Sequence, residues 1–169
     1  ELHGPNDRLD VVWDALWAAG QGHGIAPVGS KAIDSLRIEK FYRGAHELSN
    51  DAGHADVAQE RFAAWDKPFV GREAMLARNP ARRIALLRLE DDTVDPLMGE
   101  AVFVEGRLVG SITSAAFGHS VGAPLAIAFL DPDARRPGQQ VMISLLGTLT
   151  SAHVLSHAPW DPGNHRLKV

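Results

Sequence analysis

Apolar residues recur at helical spacing in the first part of the chain and at every other position in the second half, so the sequence encodes two kinds of structure in turn. Between Asn6 or Asp7, either able to cap a helix, and Gly20, the residues Leu9, Val12, Trp13, Leu16 and Trp17 fall at i, i+3, i+4, i+7 and i+8. This spacing predicts an amphipathic helix with both tryptophans on its buried face, as core anchors. Ahead of it, ELHGP reads as the end of a strand running into a Pro turn. After the break QGHGIAPVG, Ser30 can cap a second helix through AIDSLRIEKFYRG, with Ile33, Leu36, Arg37 and Lys40 on one face and Gly44 at its end. Arg37 and Lys40 on that face suggest an internal ion pair or a ligand contact. The other reading is that their stems cover apolar surface while the charges stay in water.

Residues 45–67 are polar and weakly periodic, which predicts a loop with a short helical turn. PFVGREAMLAR predicts a helix from Gly71, stapled by Phe69 or Val70. From Arg83 onward the pattern is that of strands: RIALLRLE, EAVFVEGRLVGSIT, PLAIAFLDPD and QQVMISLLGTLTSAHVLS. Leu125, Ile127 and Phe129 alternate with small neighbours, and the Gly-punctuated stretch AAFGHSVGAP connects two of the runs. Glu105-Gly106 and Leu146-Gly147 sit where hairpin turns belong. A boundary near residue 80 therefore divides a mainly helical part, 1–80, from an antiparallel β unit, 81–169. The fold class is α+β.

Composition narrows the function classes. The 169 residues are 45% hydrophobic and 22% charged, ordinary globular values, and 17 Lys+Arg against 21 Asp+Glu leave a formal charge of -4. No basic field invites nucleic acid, and no apolar run approaches the ~20 residues that span a bilayer. Nucleic acid and membrane are therefore not expected as partners. Without cysteine there are no disulfides or thiolate sites, which fits a cytoplasmic setting.

The chemical motifs are mostly quiet. Gly118 to Gly122 spells GxSxG, with Asp131 and His153 following in hydrolase order, but a nucleophile elbow needs a helix directly after its serine. Here APLAIAFL continues as a strand and Pro124 is unsuited to a helix interior. His153 and His157 would share a metal from a helix, whereas strand geometry sets them ~13 Å apart; no metal site is expected. Glu90, Asp91, Asp92 and Asp95 read as a solvated acidic loop.

Five blocks carry a resemblance. ELHGP ahead of WDAL, then GHGIAPVGSKAIDSLRIEK, WDKPFVGREAML, RLVGSITSAAFGHSVGAPLAIAFL and APWDPGNHRL together resemble the second half of the folate-dependent aminomethyltransferase family. That family includes the glycine cleavage T-protein and the carboxy-terminal regions of dimethylglycine and sarcosine dehydrogenases. The resemblance implies that residues 1–80 are the carboxy-terminal part of the folate-binding core and 81–169 the β-barrel domain, with an amino-terminal half upstream or on a partner subunit. It implies tetrahydrofolate as cofactor, with FAD only if an upstream oxidase domain exists, and a small methylamine-type substrate. Asp56 stands where the family places a pterin-binding glutamate, with Glu60 nearby as the alternative. Arg83 or Arg82 would meet the glutamate tail of folate, and Phe117 with His119 would face the pterin ring from the barrel loop. Arg37 and Glu39 match the family's RxE and are expected as a structural ion pair. The family's catalytic aspartate lies upstream, so no catalytic residue is assigned. The implied activity is transfer of a one-carbon unit from an N-methyl or aminomethyl donor to folate. The alternative is a non-catalytic structural or interaction subunit with the same fold.

Overall fold

A computed structural model describes residues 2–93 and 95–168. Its contacts group into two compact units, residues 1–30 and 31–169.

In the first unit, α1 (Leu9–Gly20) follows a 3-10 turn at Asn6–Arg8. Neither Asn6 nor Asp7 caps the helix. Both lie inside the 3-10 turn, which opens after Pro5 without a side-chain cap. The expected strand end at ELHGP is absent: Leu2–Pro5 are irregular, and Glu1 lies outside the described residues. Trp13 and Trp17, four residues apart, stack with ring centroids 5.8 Å apart. The expectation that they are buried anchors is corrected, since α1 buries no residue and Trp13 is 59% exposed. Periodicity decides which side chains share a stripe, but what covers that stripe is a tertiary matter. Here the returning segment Ile25–Val28 faces Trp13, Leu16 and Trp17 across a groove of about 300 Å³.

The second unit begins on α2 (Ser30–Glu39). The helix stops five residues before Gly44. Phe41, with φ 54°, takes the left-handed position; its N–H donates to the Ile38 carbonyl (2.9 Å) and the Tyr42 N–H donates to that of Arg37 (2.8 Å). This is a Schellman ending built without glycine. The buried face is also not the expected one. Ser35, Ile38 and Glu39 are buried, while Ile33 and Leu36 are more than half exposed. Ile38 enters a cluster with Val57, Ile84, Leu86, Leu125, Ile127 and Phe129, and turning it inward carries polar Ser35 and Glu39 inside with it. Residues 45–67 form turns with one 3-10 turn at Glu60–Phe62, as expected. The short α3 (Arg72–Ala77) starts after Gly71 at φ 87°; Phe69 packs on Trp65 at 6.0 Å, whereas Val70 is fully exposed.

The β part is a closed antiparallel barrel. Its strands are β1 (Arg83–Leu89), β2 (Ala101–Val104), β3 (Arg107–Gly118), β4 (Ala123–Leu130), β5 (Gln140–Leu145) and β6 (Thr148–Val154), in the order β1-β4-β3-β2-β5-β6, with β6 closing on β1. The small residues that alternate along β4 explain its complete burial. Ala126, Ala128 and Leu130 join residues from the other five strands in one cluster, where small side chains suit a narrow barrel interior. Leu125, Ile127 and Phe129 point the other way, onto the cluster that receives Ile38. At Gly110 a Cβ would lie 2.0 Å from the Phe129 carbonyl, so β3 can approach β4 only with glycine there. Both expected hairpin turns are present, with positive φ at Glu105, Gly106, Leu146 and Gly147, as two-residue type I′ turns require. Among the described residues no helix is long and apolar enough to cross a membrane.

One charged network, invisible to periodicity, ties the turn after α2 to β3. Glu47 is fully buried. Its carboxylate accepts from the Gly44 N–H (2.6 Å), the Arg37 guanidinium (3.2 Å), the Thr113 hydroxyl (2.6 Å) and the Ser114 hydroxyl (2.7 Å). Neighbours in a regular strand point to opposite faces, so Thr113 and Ser114 could not both reach one oxygen. A bulge does this: the pairing with β4 slips between Ile112 and Ser114, leaving Thr113 as the extra residue. Arg37 also binds Asp34 (2.7 Å) and Ser114 (2.8 Å), so of the two readings for Arg37 the internal ion pair is the one found. Lys40 likewise turns inward, donating to the Asp161 carbonyl and the Asn164 side chain, both at 2.7 Å.

Glu47→Ala takes one carboxylate from the part-buried Arg37 guanidinium and the acceptor from two buried hydroxyls, and should cost about 3 kcal/mol in urea unfolding. Glu47→Gln, which keeps the shape, should cost about half of that. Leu146 is exposed and sits at φ 47°; Leu146→Asn should therefore raise stability by up to about 1 kcal/mol in the same assay. The Asp161 carboxyl feels desolvation, which pushes it up. The N–H groups of His165 and Arg166 together with the Lys40 charge outweigh this and hold it below the ordinary carboxylate value. A depressed folded value contributes stability that is present above the unfolded pKa and lost as pH falls through the folded one. The stability gap between the parent and Asp161→Asn should thus be widest near neutral pH and close below about pH 4, as followed by denaturation midpoints.

Candidate functional site

The residues expected at a folate site fall into two groups, one at each end of β4. The first surrounds the start of β1. Asp56 lies in a turn whose Gly53 N–H donates to its Oδ2 (2.7 Å), and the Asp56 carbonyl accepts from the Ile84 N–H (2.7 Å), which fixes the turn against β1. The carboxylate is buried and pairs with Arg78, a half-exposed residue just past α3. Beside this pair, Arg83 binds the Glu60 carboxylate, while the buried Arg83 Nε has no hydrogen-bond partner. Arg135 donates to the Ile84 carbonyl (3.2 Å); burial, then the neighbouring Arg83 charge, lower its hold on its proton, and Glu60 partly offsets them. Arg82 lies over the Phe129 ring at 4.7 Å. A groove of about 210 Å³ opens here, lined among others by His54, Glu60, Trp65, Met75 and Arg78. Its lining offers one carboxylate, Glu60, and one guanidinium, Arg78, groups that a ligand with both N–H donors and carboxylates would require.

The second group is the β3–β4 end. The rings of Phe117 and His119 meet edge to face at 5.2 Å. Two residues of α2 hold them in place. The Ser35 hydroxyl donates to the Phe117 carbonyl (2.6 Å), and the buried Glu39 carboxylate accepts from the Ser120 and Val121 N–H groups (2.6 and 3.1 Å). Gly118 makes room for this acid, because a Cβ there would lie 3.1 Å from Glu39 and 3.0 Å from Leu125. The expected Arg37–Glu39 pair is not formed. Arg37 turns to Glu47 and Asp34, and Glu39 turns to the hairpin, because positions two apart on a helix do not face each other. The GxSxG serine sits in a hairpin turn followed by β4, not by a helix.

Arg83 is opposite Leu130 on β4, and Phe117 is opposite Pro124. Those partners are six strand positions apart, about 20 Å. Asp56, Glu60 and Arg83 are therefore brought together, and Phe117 with His119 form a separate group. Sequence reasoning missed Arg78, Arg135 and the buried Glu47. Arg78 was legible as a cation beyond a helix end, but its partner lies 22 residues earlier and no spacing rule connects them.

Comparison with known proteins gives a consistent account. The family described as GCVT N-terminal domain matches residues 1–67, and the Glycine cleavage T-protein C-terminal barrel domain matches residues 82–161. The chain is 33% identical over 176 residues to human mitochondrial dimethylglycine dehydrogenase, covering 99% of this chain and 20% of that protein. It is 37% identical over 177 residues to 4-methylaminobutanoate oxidase (formaldehyde-forming) of Paenarthrobacter nicotinovorans, covering 99% of this chain and 21% of that one. A probable aminomethyltransferase of Pyrococcus furiosus is 28% identical over 180 residues, with 99% and 45% covered. The chain thus spans about a fifth of the oxidising relatives and a little under half of the aminomethyltransferase. The crystal structure of the glycine cleavage system aminomethyltransferase T from Bartonella henselae superposes with a TM-score of 0.76 at 23% identity, over 91% of this chain and 45% of that one, and shows the fold. With two successive domain matches in family order and a barrel of the same kind, the chain belongs to the glycine cleavage T-protein family of aminomethyltransferases.

Proposed function

We propose that this chain is part of a tetrahydrofolate-dependent aminomethyltransferase or demethylase that passes a one-carbon unit from an N-methyl or aminomethyl donor to folate. The family membership supports it, as do relatives whose names specify dimethylglycine and 4-methylaminobutanoate as substrates. The observation that carries it is the groove beside β1, lined by Arg78, which pairs with buried Asp56, and by Glu60, which pairs with Arg83 next to the groove. Folate supplies the acceptor for the one-carbon unit; the protein's share is to bind and orient it. On this reading the Asp56 and Glu60 carboxylates take the ring N–H and amino donors of the pterin. Arg83, with an unpartnered Nε, takes an anion such as the glutamate tail. Phe117 and His119 offer an aromatic edge from the far end of β4. FAD enters only if an upstream oxidase domain exists, and the methyl donor is a small amine.

A second reading has its own observation. The Asp56 carboxylate is buried and already bound by the Gly53 N–H and Arg78, as a purely structural acid would be. In that case the chain keeps the family fold as a non-catalytic structural or interaction part.

Calorimetric titration of tetrahydrofolate into the intact protein decides between the two. On the folate reading, binding should weaken about 10- to 100-fold in Arg83→Gln and in Glu60→Gln, each of which removes a charge-assisted hydrogen bond. Asp56→Asn should weaken it and also lower stability, because Arg78 loses its partner. Absence of binding by the folded parent protein would leave the structural reading standing.

A further inference from the structure

Between the Schellman ending of α2 and the turn at 58–62 lies a cavity of about 470 Å³, lined by Tyr42, Arg43, Ala58, Gln59, Arg61 and Phe62. Two of these residues are arginines and none is acidic. No ion pair among the described residues includes Arg43 or Arg61. The acid whose charge reaches Arg43 is Glu47, but the Glu47 oxygens are taken by Gly44, Arg37, Thr113 and Ser114. Burial, then the charge of Arg61, make Arg43 a weaker base than usual. Two like charges facing one hollow repel each other, and that repulsion is relieved when an anion enters.

The backbone holds this arrangement under strain. Arg43 Nε donates to the Val57 carbonyl (3.0 Å) and its Nη1 to the Phe41 carbonyl (2.7 Å), with the guanidinium 4.4 Å over the Phe41 ring. Phe41 itself and Ala58, the residue after Val57, both adopt φ 54°, a conformation that costs a non-glycine residue energy and that collects at ligand sites. Arg43 is thus held from both sides at the cavity wall, with Nη2 not engaged by either of these bonds. Arg61 reaches in from the opposite turn, over the Phe62 ring at 4.7 Å. Tyr42 and Phe62 are half or more exposed and supply apolar walls, and the Gln59 amide is a further polar contact.

We propose that Arg43 and Arg61 form a binding site for an organic carboxylate, gripped between the two guanidinium groups with its carbon skeleton against Tyr42 and Phe62. The cavity is too large for a compact inorganic anion to fill, and its aromatic walls favour carbon over more water. The site shares no residue with the Asp56–Arg78 groove and does not depend on the folate reading. The carboxylate has two possible sources, a free carboxylic acid or the glutamate tail of folate.

The test is NMR of the intact protein, following the arginine Nε–H signals while glutarate is titrated, with inorganic phosphate as the compact probe. Saturable shifts of the Arg43 and Arg61 signals are expected, with phosphate binding more weakly than glutarate. Glutarate affinity should fall at least 10-fold in Arg61→Gln, whose exposed side chain can change without unfolding the turn, and also in Arg43→Lys, which keeps the charge but loses the planar fork. Displacement of glutarate by tetrahydrofolate would identify the tail as the source; simultaneous occupancy would identify a separate acid. The proposal is overturned if neither signal moves up to about 10 mM glutarate, if the folded Arg61→Gln protein binds as tightly as the parent, or if phosphate binds as well as glutarate.

Discussion

A carboxylate placed where water cannot reach it must be fully satisfied from within, and much of the second unit is arranged around this demand at Glu47. Its oxygens draw Arg37 from α2, the Gly44 N–H from the turn after it and two hydroxyls from β3, so three separately encoded segments meet at one point. The bulge in β3 follows from the same demand, since only an extra residue allows Thr113 and Ser114 to face the same way. With Arg37 committed here, Glu39 is left to hold the β3–β4 hairpin through two backbone N–H groups. Helix and barrel are joined by these polar contacts as well as by Ile38, and polar contacts of this kind tolerate one geometry where apolar ones tolerate many.

That rigidity has a consequence for chemistry. The barrel is a frame on which two sets of candidate groups sit about a strand's length apart. At the β1 end, cations outnumber acids: Arg78, Arg82, Arg83 and Arg135 stand near Asp56 and Glu60, and the Arg83 Nε is left without a partner. At the hairpin end Phe117 stands against His119, and the Glu39 carboxylate accepts two backbone N–H groups. One end of the frame is thus rich in paired charges and the other in aromatic rings.

The six strands, both type I′ turns and the β part of the chain were legible because alternation and Gly placement are local signals. The face of α2 was not. Ile33 and Leu36 on one side and Ile38 on the other offered two competing stripes, and the choice depended on which one the Leu125–Ile127–Phe129 surface of β4 could receive. The end of α2 was misplaced for a related reason: Phe41 adopts a left-handed conformation that its residue type opposes, held by the Schellman hydrogen bonds and by the Arg43 contact to its carbonyl. Among the candidate residues, Asp56, Arg83, Phe117 and His119 could be named from the resemblance. Arg78 and Glu47 could not, because ion pairs across long sequence separations leave no periodic trace.

By itself the sequence determined the fold class, the strand segments and the family, since those rest on local periodicity, turn chemistry and the order of motifs along the chain. Tertiary structure alone decided which charges pair, which helix face is buried and which of the candidate residues stand together. Those outcomes depend on desolvation: a charge drawn out of water must find its partner wherever the fold brings one, however distant in sequence.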